Sequence, residues 1–516
     1  MALSPRAAAL RAVARWSSGR HGRVQAPAAR RRPSARTCAA AAAAAGEAAP
    51  DFTAAALEAE ESVLGTTAAA RAAVLAQLPS GRAVYIAGGT SQTRNGSEGH
   101  ARFSQEPNFF YLTGVQEPGY AAAFVDAAGG AGPGSRRFVL VAPRLPEGMA
   151  HWVGTPPTPA ELMERHGADR VVYEDELEEA LAEECPTPPA AVYTLRGAEL
   201  PAPWGGEGGP QQETEALARV LNKARQVKRG EEVACIRAAN DASGAAHVAL
   251  WRSCRAGSYE FQLEAAFLGA AMTHGARHLG YPCIVGSGRN AATLHYESND
   301  CRVAPGDLVL VDAGAQVGGY TADITRTFPA SGRFTEQQRA LYDAVLRVQA
   351  VGISLLRAGA DWHMEVSRPA QLAAAEELLQ LGVLTGGTPE QLVEAGAVRV
   401  FFPHGLGHLL GLQVHDVGEF GPVPGTLEEG MVVTCEPGIY FVDALIDAAL
   451  ADPAVGKYLD EGAIAPWRGT GGVRIEDNLL ITAAEEGGSV NLTSVPKEAE
   501  EIEAAMGGGG GAAGGG

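Results

Sequence analysis

The sequence predicts an α/β protein of the α+β kind, built as two successive units. Short apolar, β-branched runs such as "AVYIA" and "RFVLVA" alternate with stretches of helical periodicity along most of the 516 residues. A Pro/Gly-rich break, "LPAPWGGEGGPQQETEA" at 200–216, divides that alternation in two and is the expected linker. Hydrophobic residues make up 46% and charged residues 20%, the balance of a globular chain long enough for two or three cores.

In chain order, the first 46 residues hold nine arginines and no acid, and Leu10, Val13 and Trp16 can share one helix face. This Ala/Arg/Ser-rich composition predicts a transit peptide over 1–48 and a mitochondrial or chloroplast destination. The alternative is a disordered extension of a cytoplasmic protein. Residues 49–205 read as a smaller α/β domain. Its strands are "AVYIAGG" and "RFVLVAP", and its helices are "TPAELMERHG", opened by a Thr-Pro pair, and "YEDELEEALAEE". Residues 217–505 read as a second domain. Helices such as "KRGEEVACIRAANDASGAAHVALWRS" and "TEQQRALYDAVLRVQAVGISLLRAG" alternate there with the strands "DLVLVDAG", "MVVTCEPG" and "RIEDNLLIT". The Gly/Ala tail, 506–516, is expected to be disordered.

Charge and cysteines exclude several classes. Outside the leader, 32 basic residues face 60 acidic ones, a balance of −28 that repels nucleic-acid phosphates. Seven scattered cysteines without any CxxC fit a reducing compartment and no disulfide scaffold. No apolar run reaches the roughly 18 residues of a membrane span, so no membrane partner is expected. "GSGRNA" at 286–291 fits a dinucleotide fingerprint only weakly, because "TLHY" follows where a helix should begin.

Four acids and a histidine cluster carry the chemistry. "FFPHGLGHLLGLQVHD" crowds His404, His408 and His415 between glycines, in a chain with twelve histidines. Taken singly, each has the plain alternative of a core histidine held by backbone hydrogen bonds. Asp312 ends the apolar run Leu308 to Val311, and Asp323 lies on a second β-branched strand beyond Gly318-Gly319. A hairpin turn centred between 317 and 318 puts the two aspartates directly opposite, roughly 5 Å apart at Cβ. Charges that close require a cation between them or a bound proton. Two solvated acids at strand ends are the alternative, disfavoured by the apolar run into Asp312. Glu436 after "MVVTC" and Glu476 in "GGVRIEDNLLIT" repeat the pattern, and lone buried carboxylates are rare unless paired or metal-bound. Four carboxylates with one imidazole form an oxygen-rich site suited to Mn²⁺ or a similar ion. Bridging carboxylates allow two ions sharing a hydroxide nucleophile.

In this order, "RFSQEPNFFYLTGVQEPG", "VGSGRNAATLHY", "DITRTFPASGRFT", "PHGLGHLLGLQVHDVG", "EPGIYFVDALIDAALADP" and "GGVRIED" resemble the pita-bread metallopeptidases, over roughly 80–505. The closer resemblance is to prolidase, the Xaa-Pro dipeptidase, because a long insertion follows "EPGIYF". The alternative is an aminopeptidase P-like enzyme acting on longer Xaa-Pro peptides. The resemblance implies a C-terminal pita-bread domain, a homodimer and a small peptide substrate with proline at its second position. It implies two divalent metal ions held by Asp312, Asp323, His408, Glu436 and Glu476, with Asp323 and Glu476 bridging. It also places His295, His404, His415 and Arg474 around the substrate, with Glu436 as proton shuttle. Metal-free or creatinase-like relatives lose ligands that this chain keeps. One departure bears on specificity. Prolidases usually carry an arginine between "HDVG" and "EEGM" that clamps the dipeptide carboxylate, and "EFGPVPGTL" has none.

Overall fold

The computed structural model describes residues 52–97, 99–126, 136–146, 148–202, 204–417 and 423–507. The expected leader lies outside the described residues, as do 508–516 of the tail. Met506 and Gly507, placed in that tail by sequence, instead close the last helix, Ala499–Gly507. Among the described residues no helix is long and apolar enough to cross a membrane.

The first sheet has six strands, β1 (Ala83–Ala87), β2 (Ala121–Asp126), β3 (Arg136–Ala142), β4 (Arg170–Tyr173), β5 (Ala191–Tyr193) and β6 (Gln211–Glu213), in the order β4-β3-β2-β1-β5-β6. Its central strands read as continuous apolar runs because both faces are covered. Val84, Ile86, Phe124 and Leu140 face the helix α1 (Phe52–Leu75) and the main core. Tyr85, Ala123, Val139 and Val141 face a second cluster. The helix α2 (Pro107–Thr113) is capped by Glu106. The helix α3 (Pro159–His166) begins at the Thr158-Pro159 pair, in a capping box closed by Glu161. Leu177 and Leu181 of α4 (Leu177–Glu184) pack in the second cluster.

The expected linker is not one. Trp204 is only 3% exposed and completes the second cluster, and Gln211–Glu213 pairs with β5 as the edge of the sheet. Proline and glycine there mark turns that return the chain to its own sheet.

The chain then enters α5 (Glu215–Gln226), α6 (Gly230–Ser253) and α7 (Glu260–Thr273). Four short sheets follow. The strands β7 (His278–Leu279), β10 (Ala315–Val317) and β11 (Tyr320–Thr321) form one, and β8 (Ile284–Ser287), β9 (Leu308–Asp312) and β12 (Thr325–Pro329) another. After the helix α8 (Glu336–Leu355) come β13 (Val432–Cys435) and β14 (Gly438–Tyr440). The strand β13 pairs with β16 (Asp477–Ile481), and β14 with β15 (Gly472–Arg474). A last strand, β17 (Ser489–Asn491), borders β16.

One device recurs. Two strand pairs are each broken midway, at 313–314 opposite 322–324 and at 436–437 opposite 475–476. Asp312 ends β9, while Asp323, Glu436 and Glu476 sit inside the breaks. Asp323 and Glu476 therefore lie between strands, where sequence had placed them within strands. The aspartates are also not directly opposed. Asp312 pairs with Thr325, because the turn centres one residue later, on Gly318 (φ +56°) and Gly319 (φ +84°). Positive φ at both positions is the type I′ geometry that matches strand twist. The register moves by two residues, so both side chains keep one face, which a one-residue slip would have reversed.

Candidate metal centre

The four breaks converge on one buried cluster. Asp323, His408 and Glu476 each offer a ligand atom within 4.8 Å of the other two. His408 Nε2 lies 3.2 Å from Asp323 Oδ2 and 3.3 Å from Glu436 Oε1. The other ring nitrogen, Nδ1, is 3.1 Å from the Leu409 carbonyl, which assigns the proton to Nδ1 and leaves Nε2 facing the acids. Asp312 joins through the Tyr281 hydroxyl, 2.7 Å from Asp312 Oδ1 and 2.5 Å from Asp323 Oδ1. Thr325 donates to Glu476 Oε2 at 2.6 Å, whereas Glu476 Oε1 is buried and has no partner.

Charge in this cluster is unbalanced. Burial, with the Asp323 charge beside it and against the pull of Arg474, holds the Asp312 carboxyl up at about 6. Burial pushes Glu436 to about 7 against the pull of His408 and Arg474, and pushes Glu476 well above the carboxylate range. Burial alone would lower His408, but the Asp323 hydrogen bond and the Glu436 charge raise it to about 9. Three carboxylates drawing protons around an orphaned oxygen, with Asp323 between them, make a site short of positive charge, and divalent cations fit it.

Arg474 is spent on this framework. Its guanidinium donates to Thr325 Oγ1 at 3.0 Å, Tyr440 OH at 3.1 Å and Asp312 Oδ2 at 2.5 Å. His404 stands one layer back. Its Nδ1 donates to the Gly405 carbonyl at 2.7 Å, so Nε2 accepts from the Tyr440 hydroxyl at 2.8 Å. Burial, then the Arg474 charge, lowers His404 to about 3, a neutral ring at neutral pH. The His415 ring packs edge-on to His408, with centroids 4.4 Å apart. His295 lies on an exposed turn, close enough for its charge to help depress His415 but outside the cluster.

Residues 234–483, which include every residue of this cluster, match the model of metallopeptidase family M24, and 67–193 match the aminopeptidase P N-terminal domain. The probable Xaa-Pro aminopeptidase PEPP of Ajellomyces capsulatus (strain H143) is 37% identical over 447 residues, covering 81% of this chain and 91% of its own. That of Coccidioides posadasii (strain RMSCC 757 / Silveira) is 35% identical over 443 residues, with the same coverage. The chain belongs to metallopeptidase family M24. Among solved structures it is similar to proline aminopeptidase P II from Yersinia pestis, with a TM-score of 0.75, 34% identity, and coverage of 86% of this chain and 99% of that one. Zinc-substituted Escherichia coli aminopeptidase P in complex with product gives 0.74, 32%, 86% and 98%. Both structures carry the M24 pita-bread fold behind an aminopeptidase P N-terminal domain, and this chain shares that architecture.

M24 membership makes this protein a metallopeptidase and implies divalent ions at the cluster. Sequence reasoning missed three of its residues. Tyr281 gave no signal beyond an aromatic ahead of a strand. Thr325 was readable, since period 2 puts it on the face of Asp323. Tyr440 lies in "EPGIYF", beside residues that drew attention first.

Proposed function

We propose that this protein is an aminopeptidase P-like exopeptidase, removing the N-terminal residue from peptides with proline second. This replaces the strict dipeptidase expected from the insertion after "EPGIYF". The carrying observation is Arg474. A dipeptidase must bind a free carboxylate immediately after proline, and a bidentate arginine does so best. All three guanidinium nitrogens of Arg474 are committed to Thr325, Tyr440 and Asp312. The stretch between Asp416 and Leu427 contains no arginine either. The similarity to Xaa-Pro aminopeptidases over nine-tenths of their length supports the same reading. So does the solved E. coli aminopeptidase P with the inhibitor Pro-Leu, a dipeptide that begins with proline.

In this reading Asp312, Asp323, His408, Glu436 and Glu476 hold two divalent ions, with Mn²⁺ favoured by the oxygen-rich donor set. Such ions, when bound, supply an acidified water and polarise the scissile carbonyl. Glu436 carries a proton toward the leaving proline nitrogen, a role supported by its 16% side-chain exposure against 6% for Asp323. His415, beside His408, and His295 at the rim orient the substrate carbonyl. Arg474, Tyr440 and His404 hold Asp312 from behind.

The test compares a Gly-Pro dipeptide with Xaa-Pro-Xaa tripeptides, Mn²⁺ added. A missing charge-assisted contact is worth roughly 1.5–3 kcal/mol, or about 10- to 150-fold in discrimination. Tripeptides are therefore expected to turn over at least as efficiently as the dipeptide. Rapid dipeptide hydrolysis with tripeptides refused sinks the reading.

A further inference from the structure

Strand breaks leave backbone groups that must find partners elsewhere. Beside these breaks, buried side chains of β12 and of the helices behind the sheets take up carbonyls at or near the acids. His247 of α6 lies 3.1 Å from the Ala313 carbonyl. Arg326 donates to the carbonyls of Thr325 at 3.0 Å and Glu476 at 2.6 Å. Gln349 of α8 spans one whole break. Its Nε2 donates to the carbonyl of Cys435 at 3.1 Å and to that of Ile475 at 3.2 Å, the residues just before Glu436 and Glu476. Its Oε1 accepts from Lys497 Nζ at 2.9 Å, and Lys497 is held by Asp477 at 2.6 Å.

The amide has no alternative orientation. Oε1 faces an ammonium, which only donates, and Nε2 faces two carbonyls, which only accept. Gln349 is fully buried, and each of these contacts is satisfied. We infer that Gln349 is a positioning residue for the metal site. Its single amide fixes the backbones carrying Glu436 and Glu476 at one separation, and divalent-ion affinity depends on it. The inference rests on Glu436 and Glu476 being ligands.

The experiment titrates full-length metal-free protein with Mn²⁺ by calorimetry, with bound metal counted by elemental analysis. Gln349→Met keeps the volume and removes both donors. Gln349→Glu keeps the shape and the Lys497 partner but sets an oxygen against two carbonyls. Its added negative charge alone would tighten cation binding, so weakening reports lost geometry. Folded Gln349→Glu is expected to bind Mn²⁺ roughly 10- to 100-fold more weakly, the usual cost of removing a supporting group behind a metal ligand. Excess Mn²⁺ is expected to restore kcat with KM unchanged. If Gln349→Met does not fold, Gln349→Glu decides alone. A Gln349→Glu titration matching the unaltered protein, beside a weakened Glu476→Gln, overturns the inference. Unchanged binding in Glu476→Gln as well overturns the ligand assignment itself.

Discussion

His408 and Glu436 set the pH behaviour of the metal-free protein. His408 is raised from 6.5 to about 9 by its acidic neighbours against burial, and Glu436 from 4.5 to about 7 by burial. Between its usual and raised values each group binds more protons folded than unfolded, so stability falls as pH rises through both windows. The slope is about 1.4 kcal/mol per pH unit for each group within its window. Below about pH 6.5 the depressed His404 and His247 oppose this slope, so the melting temperature of chelator-treated protein is expected to drop between roughly pH 6.5 and 9. Added Mn²⁺ is expected to remove the drop, because the ion replaces the protons. Thermal scans with and without Mn²⁺ check this, and a melting temperature that rises with pH over that range in the chelator contradicts it.

At the scale of elements, Gly407 beside His408 has a geometric reason. A Cβ on Gly407 would stand 2.1 Å from the Thr434 carbonyl oxygen. The His408 segment lies that close because it pairs with β13: His408 N donates to Thr434 Oγ1 at 3.0 Å, and Thr434 N to the His408 carbonyl at 2.9 Å. Gly407→Ala is expected to cost about 1–3 kcal/mol as overpacking and to weaken Mn²⁺ binding, because it pushes His408 off β13. Denaturant unfolding and Mn²⁺ titration measure the two effects, and normal metal affinity would show that His408 tolerates the shift. Strands and helix caps were legible here because Thr158-Pro159 and the apolar run into Asp312 are local signals. The hairpin register was not, since nothing local to 317–319 says which pair of residues takes positive φ.

Across the whole molecule, a buried ionic triad ties the histidine-bearing loop to both parts of the chain. Asp416 accepts from Arg225 at 2.6 Å and Lys228 at 3.1 Å, all three side chains being at most 3% exposed. Arg225 also donates to Asn108 of α2 at 2.7 Å, and Arg229 to the Tyr111 hydroxyl at 2.7 Å. Removing one partner of a buried pair leaves uncompensated charge, so Asp416→Ala is expected to lose about 3–5 kcal/mol. Equilibrium unfolding measures it, and a loss within about 0.5 kcal/mol, as for an ordinary surface change, would show that the triad contributes little.

Local patterns along the chain were enough for its class, for the strands and helices around the site, and for the acids and histidines to consider. Those follow from local rules: apolar period, capping residues, and the rarity of a lone acid in an apolar run. Tertiary structure decided the rest. It returned the Pro/Gly stretch at 200–216 to the first sheet, because Trp204 and β6 bury surface that only a folded sheet provides. It set Thr325 rather than Asp323 opposite Asp312, and it committed Arg474 to Asp312. Both depend on contacts between residues far apart in the chain. Arg474 and Asp312 stand 162 positions apart, a separation across which neither periodicity nor spacing carries information.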